Sequence, residues 1–129
     1  SFRKRLGDLL GSLPEDLRLL VAGRVSGVPD VWVNTRNYYT HWTDDLRNKS
    51  AEGAELYCLN TRLMMLVRVL LLRLIDVPPD VIVGALRGGN RWARELAHVA
   101  DRERQQSGKH AKGVSGFLCS RRVVEFVFA

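Results

Sequence analysis

Residues 54–75 read AELYCLNTRLMMLVRVLLLRLI, and this segment is expected to be the central helix of the fold. Its second half is apolar around most of the helix circumference, which is typical of a helix buried between others. The apolar run from Leu63 to Ile75 contains Arg68 and Arg73 and is shorter than the roughly 20 residues that span a bilayer. The segment therefore predicts an all-α fold and no membrane partner.

Two short helices are predicted at the start of the chain. Phe2, Leu6 and Leu10 recur at helical spacing until Gly11 interrupts the pattern, and Pro14 suits the first turn of a second helix. A third helix is expected after the glycine- and proline-containing turn at residues 27–30.

This third helix carries the most informative polar residues of the chain. Asn34 or Thr35 is its predicted N-cap, and its predicted end lies near Leu46 or Arg47.

The second half of the chain is less strongly patterned. Pro78 and Pro79 end the central helix, a short helix is predicted over residues 81–87, and another over residues 92–100. We therefore expect a helical bundle of about four to five helices over residues 1–104. Residues 105–129 are predicted as a polar linker and an irregular or short β-prone C-terminal tail.

The 129 residues carry a formal net charge of +6, with a pI near 9.9, so the chain should attract a polyanion such as RNA. The N-terminal stretch is amphipathic and basic, which does not fit a signal peptide. Cys58 and Cys119 form no disulfide framework, and a reducing cytoplasm is the simpler location. The chain begins at Ser1, which suggests a piece of a larger protein with other domains as partners, or a chain whose tag was removed.

The segment RNYYTH, residues 36–41, combines a permanent cation with a titratable imidazole. On a helix, Arg36, Asn37, Thr40 and His41 project to one polar side, and the aromatic side chains of Tyr38, Tyr39 and Trp42 project to the other. The aromatic side is expected to pack into the core and to direct the polar side to a cleft. Arginine binds phosphate through two parallel hydrogen bonds, and histidine exchanges protons near neutral pH. This pairing suits chemistry on a phosphodiester.

The stretch NTRNYYTH, residues 34–41, resembles the arginine-to-histidine motif of HEPN domains, especially those of the ApeA type. Residues 2–17 are similar to the short helices that precede the motif in that family, and residues 55–75 resemble the next long apolar helix. The resemblance covers roughly residues 2 to 87.

This resemblance implies a HEPN-like helical bundle with metal-independent endoribonuclease activity, often in a homodimer whose two motifs line one cleft. Arg36 would bind and stabilise the scissile phosphate, His41 would act as general acid or base, and Asn37 would orient His41 or the phosphate. A role as a toxin or an antiphage defence effector is also expected from the family.

Thr40, Tyr38 and Arg62 are the candidate substrate-binding residues, although a salt bridge or snorkelling is the simpler role for Arg62. Asp44 would project towards the polar side of a continuing helix, where it could orient His41, although a solvated position is the simpler reading. His98 and His110 are expected to have no catalytic role.

The sequence contains no glycine-rich phosphate loop and no cluster of ligands with metal spacing, so no cofactor and no metal are predicted. A second hypothesis stays open, in which the chain is a non-catalytic helical module for dimerisation or RNA binding. A dimer that brings two His41 side chains together would favour the enzyme, whereas a monomer with a buried, hydrogen-bonded His41 would favour the module.

Overall fold

In a computed structural model of the protein, residues 1–23 and 28–112 are described, with side chains up to residue 106. These residues form six α-helices and no strand, which confirms the all-α prediction. A short 3₁₀ helix at Asp44–Lys49 links the third and fourth helices. The α-helices are α1 (Phe2–Gly11), α2 (Glu15–Ala22), α3 (Asp30–His41), α4 (Gly53–Leu74), α5 (Pro79–Arg87) and α6 (Arg91–Lys112).

Helix α4 is the centre of the bundle, as its sequence predicted. It packs against α2, α5 and α6, and Met65 and Val69 on its inner side are fully buried. Leu17 and Val21 of α2 and Ile82 of α5 complete the nearly solvent-free centre of the core. None of the helices in the described ranges is long and apolar enough to cross a membrane.

The described part contains one α-helix more than the upper number expected for the bundle, and the two helices predicted over residues 81–87 and 92–100 are both present, as α5 and α6. Asn90 joins them. The Asn90 side chain donates to the carbonyl of Ala85 near the end of α5 and accepts a hydrogen bond of 2.9 Å from the amide of Ala93 in α6. Asn90 thus caps both the end of α5 and the start of α6, which fixes the connection between the two helices.

Helix α6 continues to Lys112, through the first part of the stretch predicted as a polar linker. Glu103 is buried at 5% exposure, so at this position the helix is still attached to the core. The predicted β-prone tail, residues 117–128, lies outside the described residues.

Helix α3 begins earlier and ends earlier than its sequence predicted. It starts at Asp30, directly after Pro29, so Asn34 and Thr35 lie inside the helix and neither is its N-cap. The expected continuation to Leu46 or Arg47 is also wrong, because Trp42 adopts a left-handed conformation (φ 50°, ψ 43°) that ends the helix at His41.

The chain then folds back onto α3 through specific hydrogen bonds. The hydroxyl of Thr35, which is only 4% exposed, accepts a 2.8 Å hydrogen bond from the amide of Ala51. The hydroxyl of Ser50 lies 2.7 Å from the carbonyl of Leu46 and 3.3 Å from that of Asn34. Thr35 therefore joins the start of α4 to the motif helix.

Candidate active site on helix α3

Arg36 lies on the exposed side of α3 and is held by two neighbours. Its Nη1 donates a 3.1 Å hydrogen bond to Oδ1 of Asn37, and its guanidinium carbon lies 5.3 Å from the centre of the Phe2 ring in α1. Among the described residues, no ion pair joins Arg36 to a carboxylate. The guanidinium has five N–H donors, so most of them are available to an anionic ligand.

His41 is the last residue of α3 and is exposed. On an α-helix it stands about 7.5 Å beyond Arg36 along the axis and about 140° around it. The Thr40 hydroxyl donates a 2.7 Å hydrogen bond to the carbonyl of Arg36, which fixes its proton within the helix. No side-chain hydrogen bond of His41 is found in the described ranges, so the structure leaves both ring nitrogens accessible.

A cavity of about 320 Å³ lies beside Arg36, between α3 and α4. Arg36, Tyr39 and Asn60 line it, together with leucines such as Leu56 and Leu63 of α4. The cavity thus lies beside Arg36 and Tyr39, whereas Asn37, Thr40 and His41 do not line it, so the polar side of α3 does not face this cleft as a whole.

The aromatic side of α3 is only partly buried, which corrects the sequence-based expectation. Tyr38 is 9% exposed and contributes to the core, whereas Tyr39 is 40% and Trp42 is 68% exposed. The three rings form an edge-to-face cluster, with centroids 5.1 to 6.0 Å apart. The expectation failed for Trp42 because it assumed a helix that continues past His41. Tyr38 supports the exposed rings from below and presents little surface of its own to a ligand.

Asp44 does not occupy the position that a continuous helix would give it. It lies in the exposed 3₁₀ helix after the left-handed residue, and within the described residues no hydrogen bond connects it to His41.

Arg62 lies in the core, away from the polar side of α3. Its Nε and Nη2 donate hydrogen bonds of 2.9 and 2.7 Å to the two carboxylate oxygens of Glu103. Its Nη1 donates to the carbonyl of Val21 at 3.0 Å. The side chains of Arg62 and Glu103 are 9% and 7% exposed. Arg62 thus joins α4 to α6 and to the end of α2, and its donors face protein acceptors instead of a substrate.

The remaining histidines stand apart from this site. His98 of α6 accepts a 3.0 Å hydrogen bond from Nε of Arg102, and its ring meets the edge of Tyr57. The side chain of His110 lies outside the described residues. In the part of the chain with described side chains, no group of three or more His, Cys, Asp or Glu residues is placed to hold a metal ion.

Sequence reasoning missed two contributors to this site. Phe2 was assigned only to the apolar pattern of α1, and its contact with Arg36 depends on how α1 packs. Trp42 was assigned to the core. A bulky residue directly after the histidine gave no signal that the helix would end there.

The Apea-like HEPN family matches the chain over residues 1–81, which includes α1 to α4 and the whole RNYYTH segment. The chain therefore belongs to the Apea-like HEPN family. Membership in this family suggests a function of nuclease or toxin type. No curated protein and no solved structure gives a significant match to the chain.

Proposed function

We propose that this domain is a metal-independent endoribonuclease with Arg36 and His41 in its active site. The observation that carries the proposal is the exposed surface of α3, which presents an arginine without a carboxylate partner in the described chain, beside a cavity, and an exposed histidine five residues further on. Family membership supports the same assignment. In such a family the activity would serve a toxin or an antiphage defence effector.

The chemistry needs few protein groups because RNA supplies its own nucleophile. The ribose 2′-oxygen attacks the adjacent phosphorus, its proton passes to a base, and the bond from phosphorus to the 5′-oxygen breaks as that oxygen takes up a proton. The products are a 2′,3′-cyclic phosphate and a 5′-hydroxyl. Arg36 would stabilise the charge that develops on the phosphate oxygens, and Asn37 would hold the guanidinium in position. His41 would transfer a proton.

This reaction also explains why a second copy of the chain is part of the proposal. The attacking and departing oxygens lie on opposite sides of phosphorus, so a base and an acid are needed at opposite ends of the reaction. One α3 helix provides one imidazole at this site, and His98 is engaged with Arg102 on α6. A dimer that brings two α3 helices together would supply the second His41.

Helix α4 offers a surface for that dimer. Met64, Val67, Leu71 and Leu74 lie within one face of the helix and are 49% to 78% exposed; we call them the α4 stripe. Together they expose apolar surface on the order of 400 Å², the size at which patches on soluble proteins mark interaction sites. The apolar sequence of this helix predicts burial around most of its circumference. In the monomer its two sides differ, one buried at Met65 and Val69 and the other exposed.

The α4 stripe is continuous with the wall of the Arg36 cavity. Asn60 lines the cavity and lies one helical turn before Met64, on the same face of α4. A copy seated on the stripe would therefore meet the rim of the cleft that contains Arg36, which is the arrangement required for a composite site.

The catalytic assignment is tested by cleavage rates of a fluorescent single-stranded RNA. His41→Ala should lower the rate about 10²- to 10⁴-fold, because it removes a proton-transfer group. Arg36→Ala should lower it about 10²- to 10³-fold through lost charge stabilisation. Arg94→Ala removes an exposed arginine of α6 and serves as the matched control, with a rate close to wild type. Equal rates for wild type and His41→Ala would reject the assignment.

The dimer is tested by sedimentation of the wild type, Leu71→Glu and Ala54→Glu. Leu71→Glu places a charge in the α4 stripe and should give a monomer with little cleavage activity. Ala54→Glu makes the same addition on an exposed position of α4 outside the stripe and should remain dimeric. A wild-type monomer that cuts RNA, or a dimer of Leu71→Glu, would reject this surface.

A further inference from the structure

We propose that Trp42, supported by Tyr39 and Tyr38, is a stacking surface for an unpaired RNA base next to the phosphate that is cut. The inference rests on the proposed function, since the RNA is the one bound between Arg36 and His41. It adds a residue that recognises an unpaired base at that position.

Trp42 is displayed at a backbone position that a tryptophan rarely occupies. Its φ of 50° lies in the left-handed region, which costs a non-glycine residue about 1–2 kcal/mol. Glycine is the usual residue where a helix ends in this way. Here the backbone amide of Trp42 donates to the carbonyl of Tyr38, and the indole remains 68% exposed. A large apolar ring is thus held largely in solvent at a conformational cost.

The ring is nevertheless held in place by its neighbours. Tyr38 and Tyr39 meet it at centroid distances of 5.7 and 6.0 Å and interplanar angles of 64° and 74°. With two-thirds of the side chain exposed, at least one face of the indole is open. A supported aromatic ring with an open face is what nucleic-acid-binding proteins use for base stacking.

The position of Trp42 points to RNA as the occupant. It directly follows His41, so their Cα atoms are about 3.8 Å apart and a base stacked on the indole belongs to a nucleotide beside the reacting phosphate. Arg36 lies on the same helix and provides the cation for that phosphate. The adjoining 3₁₀ helix carries two acidic and two basic residues and adds no net charge.

Stacking of this kind distinguishes single strands from duplexes. In a duplex both faces of each base are covered by neighbouring bases, so an indole can contact only an unpaired base. Every base has a flat face, so the contact is tolerant of sequence. We therefore expect a preference for unpaired RNA with little preference among bases at this position.

Binding is measured in the His41→Ala background, so the result does not depend on cleavage. The probes are a 12-nucleotide single strand without self-complementarity and a duplex of the same composition. Trp42→Gly removes the ring without backbone strain, because glycine adopts φ 50° freely. Trp42→Phe keeps an aromatic face, and Tyr57→Ala removes a comparably exposed aromatic ring (46%) elsewhere as the matched control. Circular dichroism confirms that each variant is folded.

Trp42→Gly should weaken binding of the single strand about 5- to 150-fold, as expected for one stacked base. Trp42→Phe and Tyr57→Ala should stay within about threefold of the parent, and the parent should bind the duplex more weakly than the single strand. Tryptophan fluorescence of the parent should be quenched by the single strand, and the quenching should be lost in Trp42→Gly.

Three results would overturn the inference: unchanged affinity of Trp42→Gly, equal binding of single strand and duplex, or a change from dimer to monomer in Trp42→Gly. The last would assign Trp42 to a contact between copies. If the single strand binds through Trp42 while the wild type does not cut it, the proposed enzyme fails and the stacking surface stands.

Discussion

Replacement of Glu103 by Gln should destabilise the protein strongly, because it leaves a buried guanidinium without its counter-charge. Glu103 pairs with Arg62 through two hydrogen bonds of 2.7 and 2.9 Å, and both side chains are less than 10% exposed. The amide that replaces the carboxylate has nearly the same shape. The variant therefore isolates the charge from the packing.

Removing one member of a buried pair typically costs 3–5 kcal/mol. For Glu103→Gln we expect about 3 kcal/mol, the low end of that range, since the amide oxygen still accepts one hydrogen bond. For a chain of 129 residues, 1 kcal/mol corresponds to roughly 3–6 °C in Tm, so the expected decrease is about 10–20 °C.

Thermal unfolding followed by circular dichroism measures the shift. Glu95→Gln is the matched control, because it makes the same change on the same helix at a carboxylate that is 27% exposed and pairs with Arg68 and Arg91. Exposed pairs contribute about 0–1 kcal/mol, so this control should lose only a few degrees. Equal shifts for the two variants would refute the assignment of a stabilising buried pair.

The same pair gives a test of whether Arg62 has any role in binding RNA. Replacing both members together, as Arg62→Met and Glu103→Leu, removes the buried charges and should restore most of the lost stability. The carbonyl of Val21 loses its donor, so the double variant should remain slightly less stable than wild type. Its RNA cleavage should be close to wild type, because Arg62 faces the core. A folded double variant that no longer binds RNA would contradict this conclusion.

Three further predictions concern residues outside the active site. Thr35→Val should lower the free energy of unfolding by about 1–3 kcal/mol, because it leaves the buried amide of Ala51 without an acceptor. Thr61→Val should cost far less, because the Thr61 hydroxyl donates to a carbonyl of its own helix. Equal midpoints of urea unfolding for the two variants would refute the difference. Burial raises the pKa of Cys58, and the nearby carboxylate of Glu103 adds to the shift. In a Cys119→Ser background Cys58 should therefore react slowly with iodoacetamide at pH 8 until denaturant is added, and fast reaction of the folded protein would show that the thiol is accessible. Because its folded pKa is raised, the stability that Cys58 contributes is complete below the pKa of a free thiol and is lost as pH rises through the folded value. The hydrogen bonds from Arg91 and then Arg68 lower the pKa of Glu95, so its contribution is present above the ordinary pKa of glutamate and is lost as pH falls through the lowered value. Glu95→Gln should accordingly flatten the decrease in Tm below about pH 4.5, and an unchanged pH profile would contradict the shift.

The central helix and the motif helix were predictable from sequence because their signals are local. The apolar circumference of residues 54–75 and the prolines after it define α4 to within about one residue at each end. The spacing of RNYYTH likewise predicts one polar side for Arg36, Asn37, Thr40 and His41, and in the structure three of these are exposed and Asn37 is half-buried.

The errors have a common physical origin in contacts between distant parts of the chain. The partner of Arg62 lies 41 residues away on α6, and periodicity alone does not identify which carboxylate an internal arginine will meet. The same pair holds α6 to the core directly before the stretch predicted as a linker. The end of α3 at Trp42 depends on the following chain folding back, where Ala51 reaches Thr35, and helix propensity carries no information on that contact.

The most direct test of the central claim is the chemistry of the RNA ends produced in EDTA by the wild type and by His41→Ala. We expect the wild type to leave 2′,3′-cyclic phosphate and 5′-hydroxyl ends, and His41→Ala to leave the RNA intact. Cleavage that requires a metal ion, or 3′-hydroxyl and 5′-phosphate products, would contradict attack by the ribose 2′-oxygen at a site formed by Arg36 and His41.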